Sequence, residues 1–311
     1  MSNARPMNEC EECVPPADAF SLVGDETRLS ILEALWRLDG DGSFSEVFEE
    51  VELHDSAQFN YHLGKLTGQF VAKTETGYEL RTAGERVVQA VLAGSFTEHP
   101  EREIDIDDPC LECGSELEAV YRDEQIAISC PDCGRMHGEY PFPPGGLHDR
   151  NDAEILEAFN QRVRHLHCLA KDGVCPECNG RMETTISREG ECCISAEVRA
   201  VHRCQQCGHE LCSAVGLGLL DQSDVVTFYG DHGRSLSTTP YWKLEWCVGD
   251  EPVTVVDEDP WRLRVDIAVD GDHLAVTLDG DLRVIEAVRE PESESESESE
   301  TADDDAALHR A

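Results

Sequence analysis

The chain has 311 residues, room for about two to four domains, so a sizeable core is available without a disulfide-stapled scaffold. Sixty-five acidic residues face 25 basic ones, a formal charge of −40, which excludes the ordinary strongly basic nucleic-acid binder but leaves local DNA contact open. Lys65, Lys73, Lys171 and Lys243 are the only lysines. Scarce lysine with excess carboxylate suits a cytosol at molar salt, where the Debye length falls to about 3 Å and self-repulsion is screened. The composition is therefore read as halophilic and archaeal; an acidic mesophile is the plainer alternative. The longest apolar stretch, Ala214 to Leu220, is seven residues with two glycines, against the ~20 that span a bilayer. The N-terminus has no apolar h-region, so a cytoplasmic location is expected.

In chain order, residues 1–16 form a polar N-terminal segment carrying Cys10 and Cys13. Phe20, Val23, Leu29, Leu32, Leu35 and Trp36 recur at helical steps and predict one apolar face, with Asp25 capping a segment that starts at Glu26. Ser43 is a candidate N-cap for a short helix to Val51, and a further helix is predicted from Asp55 or Ser56 to about Gln69, with Phe59, Leu63 and Leu66 inward. Residues 70–74 and 78–80 alternate around Gly77 as a hairpin, and Thr82 to Leu92 forms a helix stopped by Gly94. Residues 97–109 are expected to be an acidic linker. Residues 110–144 are a first cysteine unit, 145–172 a linking helix, and 173–212 a second cysteine unit. Residues 213–290 are expected to hold a helix over Ala214 to Tyr229 and then a meander whose strands start at Leu263, Leu274 and Leu282. Residues 291–311, Ser-Glu repeats and an acidic end, cannot bury anything and are expected to be disordered. The predicted class is α+β: an N-terminal winged helix-turn-helix over 17–96, two zinc-ribbon-like units, a C-terminal helix with an antiparallel meander, and the tail.

Helices followed by a two-stranded hairpin are the order of a winged helix-turn-helix. Gly24-Asp25-Glu26-Thr27-Arg28-Leu29-Ser30-Ile31-Leu32 resembles the opening helix of ArsR-type winged-helix repressors. Gln58 to Leu66 resembles their recognition helix, and Gly77-Tyr78-Glu79-Leu80 the wing of haloarchaeal members, some of which join such a domain to a cysteine-rich C-terminal region. The resemblance implies a DNA-binding transcription regulator. With Phe59, Leu63 and Leu66 inward, Ser56, Gln58, Asn60, Tyr61 and Lys65 can face the major groove. Gln and Asn suit adenine edges, and Lys65 can reach guanine or phosphate. Lys73 and Arg81 sit where a wing meets backbone. Against this, residues 17–96 hold 14 acids and six bases, a net of −8. The plainer alternative is a solvated face of a protein-docking module. The Cys-x-Cys of ArsR-type metal sensors is missing from Glu49 to His54, so arsenic or cadmium sensing does not carry over; His54 and His62 are read as ordinary polar and packing residues.

Fifteen cysteines in a chain without export signals, arranged in CxxC pairs, point to metal or redox sites rather than bridges. Cys110/Cys113 and Cys130/Cys133 are 16 residues apart, within the window for a four-thiolate zinc site. A redox dithiol is disfavoured because neither pair opens a helix of a thioredoxin-like unit. Cys175/Cys178 and Cys204/Cys207 are 25 residues apart, longer than usual, but segments 182–188 and 196–203 can extend a hairpin and keep the knuckles together. Two zinc ions are thus expected, with closed coordination and a structural role, and no enzyme is expected. His137 is not needed as a ligand. His165, His167, Cys168, His209 and Cys212 offer alternative ligands, although helix C-terminal histidines favoured by the dipole are the preferred reading. Cys192/Cys193 are free thiols or a reactive pair, Cys10/Cys13 have no partner pair, and Cys247 is assigned to a strand core. Expected partners are double-stranded DNA and a second copy of the chain. The alternatives are an adaptor docking on transcription or RNA machinery, and a thiol redox sensor using Cys192/Cys193.

Overall fold

The computed structural model describes residues 14–188 and 194–290. Two hydrophobic cores divide them, one drawn from Ile31 through Val88 and the other from Ile104 through Leu282. Among the described residues are eight α-helices and four antiparallel sheets, a mixed α and β chain. None of these helices is long and apolar enough to cross a membrane.

The N-terminal unit starts with α1 (Pro16–Val23) and α2 (Glu26–Arg37). The Asp25 carboxylate caps α2 by accepting from the Arg28 N–H. β1 (Asp41–Gly42) leads to α3 (Phe44–Glu50), started by a reciprocal capping box between Ser43 and Glu46. α4 (Ser56–Leu66) is capped by Asp55, whose Oδ1 accepts from the N–H groups of Ala57 and Gln58. β2 (Val71–Lys73) and β3 (Tyr78–Leu80) form the hairpin, and α5 (Thr82–Leu92) closes the unit. Ile31, Leu32 and Leu35 of α2 pack with Val47, with Phe59, Leu63 and Leu66 of α4, and with Val88. Phe44 and Phe48 meet the Phe59 ring edge-on at 5.0 and 5.2 Å.

Three expectations need correction here. Phe20 and Trp36 do not join the core: Phe20 is 75% exposed and α1 buries no residue, because the chain breaks at Gly24-Asp25 and the apolar phase restarts in α2. α4 stops at Leu66 rather than near Gln69, since Gly68 takes φ +99° and cannot continue a helix. β1 pairs with β3 and adds a third strand that the sequence did not announce.

The C-terminal unit begins with β4 (Arg102–Pro109), where an acidic linker was expected. Ile104 and Ile106 alternate with Glu103, Asp105 and Asp107, so the acids face solvent while each isoleucine buries a side chain worth about 2 kcal/mol. β4 pairs with β5 (Glu116–Arg122), which continues through β6 (Gln125–Ser129) to β7 (Met136–Pro141) in a four-stranded meander. Asp123 and Glu124, both at positive φ, make the tight β5–β6 turn. α6 (Asp152–Lys171) runs three residues beyond Cys168 and buries Ile155, Phe159, Val163 and Leu166. The buried Arg164 guanidinium donates to the carbonyls of Leu220, Leu236 and Thr239, tying three loop segments to this helix.

β8 (Met182–Ser187), β9 (Arg199–Cys204) and β10 (Glu210–Ala214) form the third sheet. The helix expected over Ala214 to Tyr229 is instead a 3-10 turn, Val215–Leu219, followed by α7 (Ser223–Asp231). Packing decides this, because a Cβ on Gly216 would lie 1.7 Å from the Trp246 carbonyl oxygen. Cys247 is buried in the short helix α8 (Glu245–Val248), not in a strand. β11 (Val253–Glu258), β12 (Trp261–Val269), β13 (Asp272–Asp279) and β14 (Val284–Glu290) form the last meander. Leu282 belongs to the β13–β14 turn at φ +61°, not to a strand. Cys10, Cys13, Cys192, Cys193 and the segment 291–311 lie outside the described residues.

Candidate metal centres and nucleic-acid interface

Four turns of one design carry the paired cysteines. In each, the N–H of the residue after the second cysteine donates to the carbonyl of the first: Gly114 to Cys110, Gly134 to Cys130, Asn179 to Cys175, and Gly208 to Cys204. That residue has positive φ in all four turns, +80°, +73°, +58° and +77° respectively, which suits glycine and is tolerated by asparagine. A second bond returns from the first cysteine's N–H to Ser115, Arg135, Gly180 or His209. Both thiols of a pair are thereby held on one side of the turn.

The turns meet in two groups, Cys110, Cys113, Cys130 and Cys133, and Cys175, Cys178, Cys204 and Cys207, with all four Sγ atoms of each group within 4.8 Å of one another. Sγ–Sγ separations are 3.7 Å for Cys110–Cys133, 3.5 Å for Cys113–Cys130, 3.8 Å for Cys175–Cys207 and 3.5 Å for Cys178–Cys204. The edge of a tetrahedron with metal–sulfur bonds of about 2.3 Å is about 3.8 Å, so both groups fit a tetrahedral metal ion. Cys110, Cys130, Cys175 and Cys204 are buried in the C-terminal core, while Cys113, Cys133 and Cys207 lie at the surface.

The thiols resist ionising together. The Ser115 backbone N–H draws Cys113 down to about 7, and the Cys207 N–H draws Cys204 down to about 6. Cys133, despite the Arg135 N–H, is pushed up to about 12 by local desolvation and the neighbouring sulfurs, and Cys178 likewise reaches about 12 against the Gly180 N–H. A bound cation relieves this repulsion, which is the physical reason a four-sulfur site wants a metal.

The surrounding groups were less visible in the sequence. His137 Nε2 lies 3.7 Å from Cys110 Sγ, and burial, then the Arg135 charge, lowers its pKa to about 4, so a neutral ring faces the sulfur. Arg135 bridges Glu112 and the Val248 carbonyl at 2.9 Å each, fixing the first site against α8. Gly180 abuts the second site: a Cβ there would stand 3.0 Å from Cys204 Sγ and 3.1 Å from Cys178 Sγ. The alternative ligands do not assemble among the described residues. His165 is exposed, and Cys212 is disulfide-bonded. His167 is buried, with Nδ1 at 2.8 Å from the Val163 carbonyl oxygen. Its pKa falls to about 4 because burial outweighs the hydrogen bonds to the Val163 and Cys212 backbone, so the ring is not the dipole-favoured cation expected at a helix end.

On α4, Phe59, Leu63 and Leu66 are buried while Ser56, Gln58, Asn60, Tyr61 and Lys65 are exposed. Lys65 Nζ stands 5.5 Å above the Tyr61 ring. Lys73 is exposed at the end of β2, and the exposed Arg81 donates to the Gly68 carbonyl. His62 Nδ1 is 3.2 Å from Asp25, linking α4 to the cap of α2. His54 is exposed.

Residues 16–91 match the family described as Domain of unknown function (DUF7347), and residues 107–284 match Domain of unknown function (DUF7351). No curated protein and no solved structure matches the chain. The two matched stretches coincide with the two hydrophobic cores, and the second covers more than half of the sequence. By that match the chain belongs to the DUF7351 family.

Proposed function

We propose that the protein is a DNA-binding transcription regulator of ArsR-like winged helix-turn-helix type, with two structural zinc ions, acting in the cytoplasm of a halophile. The single observation that carries the reading is the two-sided α4. Its apolar residues Phe59, Leu63 and Leu66 are buried, while Ser56, Gln58, Asn60, Tyr61 and Lys65 are exposed, and a hairpin bearing Lys73 leads to the exposed Arg81. In this reading α4 lies in the major groove, Gln58 and Asn60 pair with adenine edges, and Lys65 meets guanine or phosphate. The wing, with Lys73 and Arg81, touches backbone. Zinc is assigned to the four-thiolate groups because cysteine-only tetrahedra favour it, and closed coordination makes the ions structural. A homodimer is part of the proposal: Phe20 on α1 and Phe96 beyond α5 expose large apolar side chains that a second copy would cover.

Gel shift with genomic fragments tests the assigned face. Asn60→Ala/Lys65→Ala is expected to weaken specific binding by on the order of 2–4 kcal/mol while leaving the fold intact, since both side chains are exposed. Equal binding by wild type and variant would remove the assignment. The adaptor reading is favoured by one observation, the net charge of −8 over residues 17–96. It predicts a stable protein partner in affinity recovery with no retention of DNA.

A further inference from the structure

β7 does not keep the alternation of a plain strand. Ile128 of β6 pairs with Gly138 and Ser129 with Met136, so His137 is the extra residue of a β-bulge and faces no partner across the ladder. His137 and Gly138 are consequently buried side by side, in a strand where buried and part-exposed residues otherwise alternate. Gly138 takes φ +140°, and a Cβ there would lie 2.6 Å from Tyr140 Cε2, so the bulge depends on this glycine. A bulge re-aims a side chain, and this one turns the His137 ring toward the first metal site, with Nε2 at 3.7 Å from Cys110 Sγ.

The ring is 1% exposed, and its Nδ1 has no hydrogen-bond partner. The two nitrogens therefore meet different surroundings, which decides where the proton belongs. On Nδ1 it would be a buried donor without an acceptor. On Nε2 it points at Cys110, which is a thiolate when the site holds its metal and so accepts. A ring charged at both nitrogens would present the same Nε2–H, so the contact does not depend on the charge of the ring. The second site is served differently. Its sulfurs take hydrogen bonds from backbone N–H groups, Gly180 to Cys178 at 3.4 Å, and Gln206 and Cys207 to Cys204 at 3.4 and 3.5 Å. Among the described residues no side-chain nitrogen donates to them.

We propose that His137 is a positioning residue of the first metal site, donating its Nε2–H to the Cys110 thiolate so that the bound metal is held more tightly there. The bond compensates a thiolate that the core has taken out of water, Cys110 being only 2% exposed. The proposal rests on the reading of the four-thiolate group as a metal centre.

The test loads the full chain with an NMR-active isotope of cadmium and reads the ring nitrogens by NMR. His137 is expected to carry its proton on Nε2, with that proton coupled through the sulfur to the cadmium of the first site. No histidine proton is expected to couple to the second cadmium. In chelator competition His137→Phe is expected to weaken first-site affinity by about tenfold or more and to leave the second site unchanged. His137→Gln, whose amide nitrogen can stand where Nε2 stood, is expected to recover most of that loss, which a ring needed only for packing would not show. The measurement on the wild-type protein decides even where a variant fails to fold. A first site that takes up no cadmium removes the metal reading and this proposal with it. A loaded site with His137 protonated on Nδ1 alone, or with its nitrogen bound directly to cadmium, overturns the proposal and leaves the metal reading standing. So does a folded His137→Phe variant that keeps its metal as firmly as wild type.

Discussion

Asn179 and Gly180 divide the work at the second metal site. Asn179 takes the left-handed conformation that Gly114, Gly134 and Gly208 supply in the other three turns. Gly180 is needed for space instead. Its missing Cβ leaves room for Cys178 and Cys204, and an added methyl would also meet Gln206 Cβ at 2.8 Å. Gly180→Ala is therefore expected to weaken metal retention at this site by about ten- to a hundredfold and to leave the first site unchanged. Chelator competition monitored by metal release would show one altered affinity of two. The ligand cysteines were legible in the sequence because CxxC spacing is a local rule. Gly180 and His137 were not, because their roles depend on which atoms of a distant turn come to rest beside them.

At the scale of elements, α7 and the start of β13 are joined by His232. Its Nδ1 is 2.8 Å from the Phe228 carbonyl oxygen, and Nε2 is 3.0 Å from Asp272. The bond to Phe228, then the Asp272 carboxylate, raises the pKa of the ring above 6.5. A raised folded pKa means that this contribution is fully present below the unfolded value and is lost as pH rises through the folded one. Denaturant unfolding of wild type should therefore show stability declining from about pH 6 upward in a component that His232→Gln lacks. An identical pH profile in the variant would refute it. Elements with a clean period were readable: α3, α5, α6, β12 and β13 are found where their apolar spacing predicts. β4 was missed because its carboxylates suggested a linker, although Ile104 and Ile106 kept the period of a half-buried strand. The broken helix after Ala214 was set by the approach of Trp246 to Gly216, which no local pattern records.

Across the whole molecule the metal sites and the two cores are coupled unequally. Four of the eight ligand cysteines belong to the C-terminal core and none to the N-terminal one. A metal ion held by each group would contribute on the order of 10 kcal/mol that is folding energy. Chelation is therefore expected to unfold residues 102–290 while the N-terminal unit keeps its helices. Loss of near-ultraviolet dichroism from Trp242, Trp246 and Trp261, with retained helical signal, would report it; cooperative loss of both units would contradict it. The charge of −40 makes a second demand. Stability should decline as KCl falls below about 1 M, because the carboxylates then repel over longer distances. A melting temperature independent of KCl would reverse the halophilic reading.

The sequence by itself determined the helical order of the N-terminal unit, the eight paired cysteines and the strongly acidic composition. Each follows from spacing or composition, and spacing acts locally through hydrogen bonds and side-chain direction. Tertiary structure alone decided that residues expected as two ribbons, a linking helix and a C-terminal sheet share one core from Ile104 to Leu282. It alone also broke the helix expected after Ala214, through the approach of Trp246 to Gly216. Those outcomes rest on contacts between residues far apart in the chain, where burial and shape choose partners that no periodicity encodes.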